Sequence, residues 1–165
     1  MRKSFPSAAQ VRELDILAEH TIPKEWEDQN GHVNVQYYQT LYEIGGWPML
    51  GRAGVDEAYF EERRLGIFDL EHHVYYLSEL HVGERVTIHG RFIASNKKRI
   101  HGIVFIVNAD RDELSGTLEF VATSTNLTTR RTNEFPDDIL DGLSKLIDAE
   151  KRIQWPAPLC GAMAI

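Results

Sequence analysis

The stretch WEDQNGHVNVQYYQTLYE, residues Trp26–Glu43, changes character at its midpoint. Its first half gathers Asp28, Asn30, Gly31, His32 and Asn34. Its second half is a helix former: Val35, Tyr38, Tyr42 and then Gly45 or Gly46 recur at helical spacing on one face, with Leu41 and Met49 beside them. Asn34 suits the N-cap, where its side chain can accept a bond from an orphan N–H of the first turn. Gly45, Gly46 and Pro48 are expected to weaken, kink or end the helix.

Asp28 has two readings. Asp, Asn and Gly are turn formers, and DQNG is a turn on that ground alone. The position adds a second reading. A helix N-terminus carries partial positive charge and unpaired N–H donors, so a carboxylate stays ionised there and a carbonyl is polarised. Gly31 allows a ligand close to the backbone. A carboxylate beside an N–H cradle is the minimum equipment for acyl-transfer hydrolysis. His32 and Asn34 could orient a water or a carbonyl. A structural hydrogen bond for His32 and a helix cap for Asn34 are the alternatives.

Outward from this stretch, Glu13–Thr21 alternates loosely as a first strand that Pro23 ends. Beyond Gly66 the pattern turns to period two. Strands are expected at Ile67–Leu80, Arg85–Ser95, Ile100–Ala109 and Thr117–Arg131, joined by HVGE, NKKR and DRDELSG as turns. Pro136–Ile153 reads as an amphipathic helix that Pro136 opens, with Asp137 and Asp138 at its positive end. Long strands joined by short hairpins make a meander, and one apolar helix must cover it. The fold class is α+β: a helix on a curved antiparallel sheet, in a single domain over residues 1–165, with a core of about 11–132 and a C-terminal helix of about 136–153.

The chain has 165 residues, enough for one sizeable core. Its net charge of -7 argues against a nucleic-acid surface. A single cysteine, Cys160, fits a reducing cytoplasm. No membrane span is expected, and the basic start is not followed by the apolar run of a signal peptide. In the strand LEHHV, Glu71 and His73 share one face and His72 takes the other. Adjacent strand histidines do not chelate one ion, so no metal is expected. Lys97, Lys98 and Arg99 form a basic turn, either a solvated hairpin or a phosphate contact.

Asp28 to Asn34, followed by Tyr37 and Tyr38, resembles the D-x-x-G-H-x-N-x-x-x-Y segment of hotdog-fold acyl-CoA thioesterases of the 4-hydroxybenzoyl-CoA thioesterase type. Leu70–Val86, Lys97–Val107, Leu118–Arg131 and Phe135–Ile139 extend the likeness to the subgroup that includes betainyl-CoA thioesterases. The resemblance implies a long helix wrapped by a curved antiparallel sheet, and a homodimer or dimer of dimers with sites between subunits. It implies neither metal nor cofactor, coenzyme A being part of the substrate. Asp28 then matches the nucleophile or general base, with Gly31, His32 and Asn34 around it. Tyr38 and Tyr42 offer aromatic faces to a small cationic acyl group, Glu71 and His73 line the cleft, and Lys97, Lys98 and Arg99 meet the CoA phosphates. A hotdog-fold enoyl-CoA hydratase or dehydratase and a non-catalytic acyl-CoA-binding module are the competing functions.

Overall fold

The computed structural model describes residues 3–165; Met1 and Arg2, part of the expected single unit, lie outside it. The chain forms α1 (Ala8–Val11), β1 (Ile16–Thr21), α2 (Gln36–Gly51), α3 (Glu57–Glu61), β2 (Leu65–Tyr76), β3 (Arg85–Ser95), β4 (Arg99–Asn108), β5 (Glu113–Asn126), β6 (Arg131–Thr132) and α4 (Asp137–Glu150). The long helix α2 lies in a curved antiparallel sheet, with α4 beside it: the hotdog fold.

Helix α2 buries Tyr38, Leu41, Tyr42, Gly45, Gly46, Met49 and Leu50, a stripe at i, i+3, i+4, i+7 spacing. Against expectation it runs through Gly45, Gly46 and Pro48 to Gly51. The two glycines serve close packing rather than termination. A Cβ on Gly45 would stand 2.2 Å from Cγ2 of the buried Ile88, so only glycine lets α2 settle this deeply on β3. Pro48 sits in the last turn, where its missing N–H removes one bond, and the burial of Met49 and Leu50 carries the helix past it. Val35 departs from the expected stripe: it is exposed.

The sheet order is β1-β3-β4-β5-β2. The meander therefore holds only for β3, β4 and β5. β2 does not pair with β3; it lies at the opposite edge, antiparallel to β5, with Tyr76 opposite Gly116 and Leu65 opposite Asn126. The connection from Leu77 to Glu84 must cross the end of the sheet, and the fully buried Leu80 anchors it. The strand expected to reach Leu80 stops at Tyr76 for this reason.

Two apolar layers result. The inner one holds α2, the inward residues of β2–β5, and Ile139 and Leu143 of α4. The outer face is covered by the chain's own ends, with Val11 and Leu14 on one side and Ile153 and Trp155 on the other, over Ile103, Phe105 and Val107.

Candidate active site

The approach to α2 is built from local bonds. Glu27 and Val33 bridge, and residues 28–32 bulge out between them. The Asp28 N–H donates to His32 O at 2.9 Å, and the Gly31 N–H to Asp28 O at 3.1 Å. Gly31 has φ +79°, a left-handed conformation that glycine adopts without strain. It does not line the cavity described below, so its part is to turn the loop. Trp26 fixes the loop's base, stacked between His20 and Tyr37 with both centroids 4.8 Å away.

Asp28 is held in a tight side-chain turn. Its Oδ1 accepts the Asn30 N–H at 2.8 Å, while Oδ2 has only a long contact of 3.4 Å from the Asn30 amide. The turn reading and the site reading are thus compatible, because the turn leaves one carboxylate oxygen lightly engaged. His32 Nδ1 bonds Val33 O at 3.1 Å and stands 3.9 Å from Asp28 Oδ1. The N-cap of α2 is Val35, one residue after the expected Asn34, but Asn34 still serves the first turn: its Oδ1 accepts the Gln36 N–H at 3.1 Å, and its carbonyl accepts the Tyr37 N–H at 3.0 Å. These bonds occupy two of the first donors of α2. Among the described residues the Val35 N–H has no protein acceptor, which makes it the donor available to a ligand.

Asp28, His32, Val33, Asn34 and Val35 form one wall of a cavity of about 310 Å³. Tyr38 and Tyr76 form the floor, their rings edge to face with centroids 5.0 Å apart. Leu77, Ser78 and Glu79 of the crossing connection close the other side. Tyr38 donates its hydroxyl to Ser78 O at 3.3 Å, and burial, with a smaller push from the Glu79 charge, raises its pKa to about 12. It is therefore a neutral donor throughout the ordinary pH range.

Other expected site residues lie elsewhere in this chain. Tyr42 is buried one turn beyond Tyr38, but its hydroxyl donates to Asp69 at 3.3 Å and it faces a smaller hollow with Trp47 and Ile67. Glu71 and His73 sit on the outer face of the sheet, paired with Val121 and Glu119. A β-bulge between Asp69 and Glu71 is the cause. The extra residue flips the parity of the strand, so that His72, Val74 and Tyr76 turn toward α2 in their place, His72 with its ring 5.1 Å from that of Tyr42. Lys97 and Lys98 occupy the β3–β4 turn and Arg99 opens β4, all at the other end of the sheet. Arg99 pairs with Thr123 and Tyr76 with Gly116, seven residues apart on β5, or roughly 23 Å at strand rise. Among the described residues no three or more His, Cys, Asp or Glu side chains gather as for a metal.

The model of the thioesterase-like superfamily matches residues 22–143, from the residue before Pro23 to the buried face of α4. The chain belongs to the thioesterase-like superfamily. It is 22% identical over 132 residues to a betainyl-CoA thioesterase of Pseudomonas aeruginosa, covering 80% of this chain and 83% of that one. It is 23% identical to the L-carnitine dehydrogenase/betainyl-CoA thioesterase of Rhizobium meliloti, of which it spans only 30%. The hypothetical protein SAV2348 from Staphylococcus aureus, solved in complex with CoA, superposes with a TM-score of 0.81 at 25% identity, covering 92% of this chain and 96% of that one. A DHNA-CoA thioesterase from the same organism has a TM-score of 0.75 at 16% identity over 86% of this chain and 97% of that one, which speaks to the fold alone. The cavity wall from Asp28 to Val35 falls inside the superfamily match.

Proposed function

We propose that this protein hydrolyses an acyl-CoA thioester to the free acid and CoA, with the chemistry at the Asp28 wall. One observation carries the reading: a single cavity brings together the Asp28 carboxylate and the N-terminus of α2. The thioester carbonyl oxygen is set toward the Val35 N–H, where the helix end favours developing negative charge. Asp28 then acts on the carbonyl carbon in one of two ways. As nucleophile, a carboxylate oxygen bonds that carbon, the C–S bond breaks, CoA leaves as thiolate, and water hydrolyses the mixed anhydride. As general base, Asp28 takes a proton from the water that attacks. His32, next to Asp28 and tied to the loop backbone, positions rather than replaces it.

The finer reading is a small acyl group carrying a positive charge, of the betainyl kind. Two tyrosine rings and two carboxylates, Asp28 and Glu79, line the same cavity, and an alkylated ammonium is attracted by aromatic faces at roughly 0.5–2 kcal/mol each. The names of the curated relatives support the same class.

The test is thiol release from a panel of acyl-CoA thioesters, betainyl-CoA and an uncharged analogue of equal size among them, with wild-type protein and Asp28→Asn side by side. Asp28→Asn is near-isosteric and is expected to lose about a hundredfold or more in turnover, the scale of a positioned base or nucleophile. Turnover within threefold of wild type removes Asp28 from the chemistry. Preference for the uncharged thioester ends the cationic reading and leaves hydrolysis standing.

A further inference from the structure

The cavity segment from Leu77 to Glu79 is not regular structure, and part of what holds it in place, the Arg111 side chain, lies outside the cavity. Residues Ser78, Glu79 and Leu80 offer three consecutive carbonyls, and a different element secures each. Tyr38 of α2 donates to Ser78 O, the Val33 N–H of the Asp28 loop donates to Leu80 O at 2.8 Å, and the Arg111 guanidinium donates to Glu79 O. Arg111, in the turn between β4 and β5, also reaches the Ser78 hydroxyl at 3.3 Å, the Glu113 carboxylate at 3.1 Å and the Glu84 carboxylate. Those two acceptors are themselves fixed. Ser78 Oγ donates to Glu113 at 2.8 Å, and Glu84 accepts from the Asn108 amide and the His81 N–H, both at 2.8 Å. Bonds from Ser78 and Arg111 hold the Glu113 carboxyl below the usual carboxylate range.

We propose that Arg111 is a positioning residue: its forked guanidinium sets the Ser78–Glu79 wall at its distance from Asp28 and thereby the size and charge of the acyl group that fits. The proposal rests on the acyl-CoA reading above. Five N–H donors in one plane suit a residue that must serve two carboxylates, a carbonyl and a hydroxyl at once, and an ammonium cannot span them. Because the same wall holds substrate and transition state alike, its loosening acts on binding first.

The experiment compares wild type, Arg111→Lys, Arg111→Ala and Ser78→Ala. Arg111→Lys keeps the positive charge beside Glu84 and guards against a variant that fails to fold. Hydrogen exchange is read over residues 77–84, with 97–103 at the far end of the sheet as the internal control. Kinetics are read on a short and a longer acyl-CoA. Both Arg111 variants are expected to exchange faster over 77–84 with the control unchanged. They are also expected to raise KM for the short thioester about tenfold with kcat within threefold, and to narrow the preference for short over long. Ser78→Ala moves the same way by less. Millimolar guanidinium is expected to lower KM in Arg111→Ala toward the wild-type value and to leave the KM of wild type unchanged. Unchanged exchange over 77–84 overturns the proposal, as does faster exchange with KM and chain-length preference within twofold of wild type. If wild-type protein releases thiol from no acyl-CoA, the functional reading fails and the role in substrate fit fails with it, while the exchange data still report separately on the wall.

Discussion

Glu79 stands largely in solvent at the rim of the cavity, its side chain 66% exposed, yet its charge reaches Tyr38. An exposed carboxylate contributes little and is screened by salt, at most about 1 kcal/mol. Glu79→Gln is therefore expected to raise KM for a cationic acyl-CoA by up to about fivefold at low salt and to leave an uncharged analogue unaffected; equal effects on both substrates, measured at low and high salt, would assign Glu79 no part in charge selection. The residues legible in the sequence were those whose roles are local. Asp28, Gly31 and Asn34 act through bonds to neighbours within a few positions. Glu79, Arg111 and His81, whose Nδ1 bonds Gly31 O at 3.0 Å, act across 32 to 50 positions of chain, and no periodicity carries that information.

At the scale of elements, α2 followed from its spacing, and its glycines did not. A helix former would stop at Gly45-Gly46 in isolation; tertiary packing overrides that propensity because β3 leaves no space for a side chain. Gly45→Ala is expected to destabilise by about 1–2 kcal/mol, overpacking against Ile88 outweighing the gain in helix propensity. Gly51→Ala, with nothing within 4 Å of its added Cβ, is expected to be neutral or stabilising. Chemical denaturation of the two variants measures both, and a stabilised Gly45→Ala would show that Ile88 yields. Glu71 and His73 do share one face of β2 with His72 on the other, but which of those faces turns toward α2 is not written in the alternation. Alternation was right in each half, but one unpaired residue near Leu70 inverts the second half, and a bulge in an edge strand leaves no mark in composition.

For the whole molecule, β2 is an edge strand with no further strand beyond it among the described residues. It exposes Phe68, Leu70 and Tyr76 beside a row of unpaired backbone groups, an arrangement proteins ordinarily cover. A homodimer joined along β2 is the expected assembly. Antiparallel pairing there would bring the far end of a second copy, with its basic turn, toward the cavity, which is how Lys97, Lys98 and Arg99 could still meet CoA phosphates. Light scattering at micromolar concentration decides it, and a fully active monomer would refute it. A second global property comes from Glu150 at the end of α4. Burial raises its carboxyl to about 7, against the opposing charges of Arg91, Arg52 and Arg152. Its folded pKa lies above the unfolded one, so the native state holds the extra proton and stability falls as pH rises from about 4.5 through 7. Glu150→Gln is expected to flatten that decline in melting temperature between pH 5 and 8. An identical pH profile in the variant would mean that Glu150 is charged in the folded protein at neutral pH.

The position of β2 at the edge beyond β5 also has a consequence in time. Tyr76 and Leu65 find their partners only when Gly116 and Asn126 exist, so the strand waits for about 40 to 60 further residues. At ordinary rates of synthesis that is roughly 2 to 12 s. While the chain is being made, β3 and β4 can pair as they appear, whereas Phe68 and Leu70 stay bare on a strand with nothing to join. The same edge that a second copy would cover in the finished protein is thus the part of the nascent chain most open to a chaperone or to another ribosome's product.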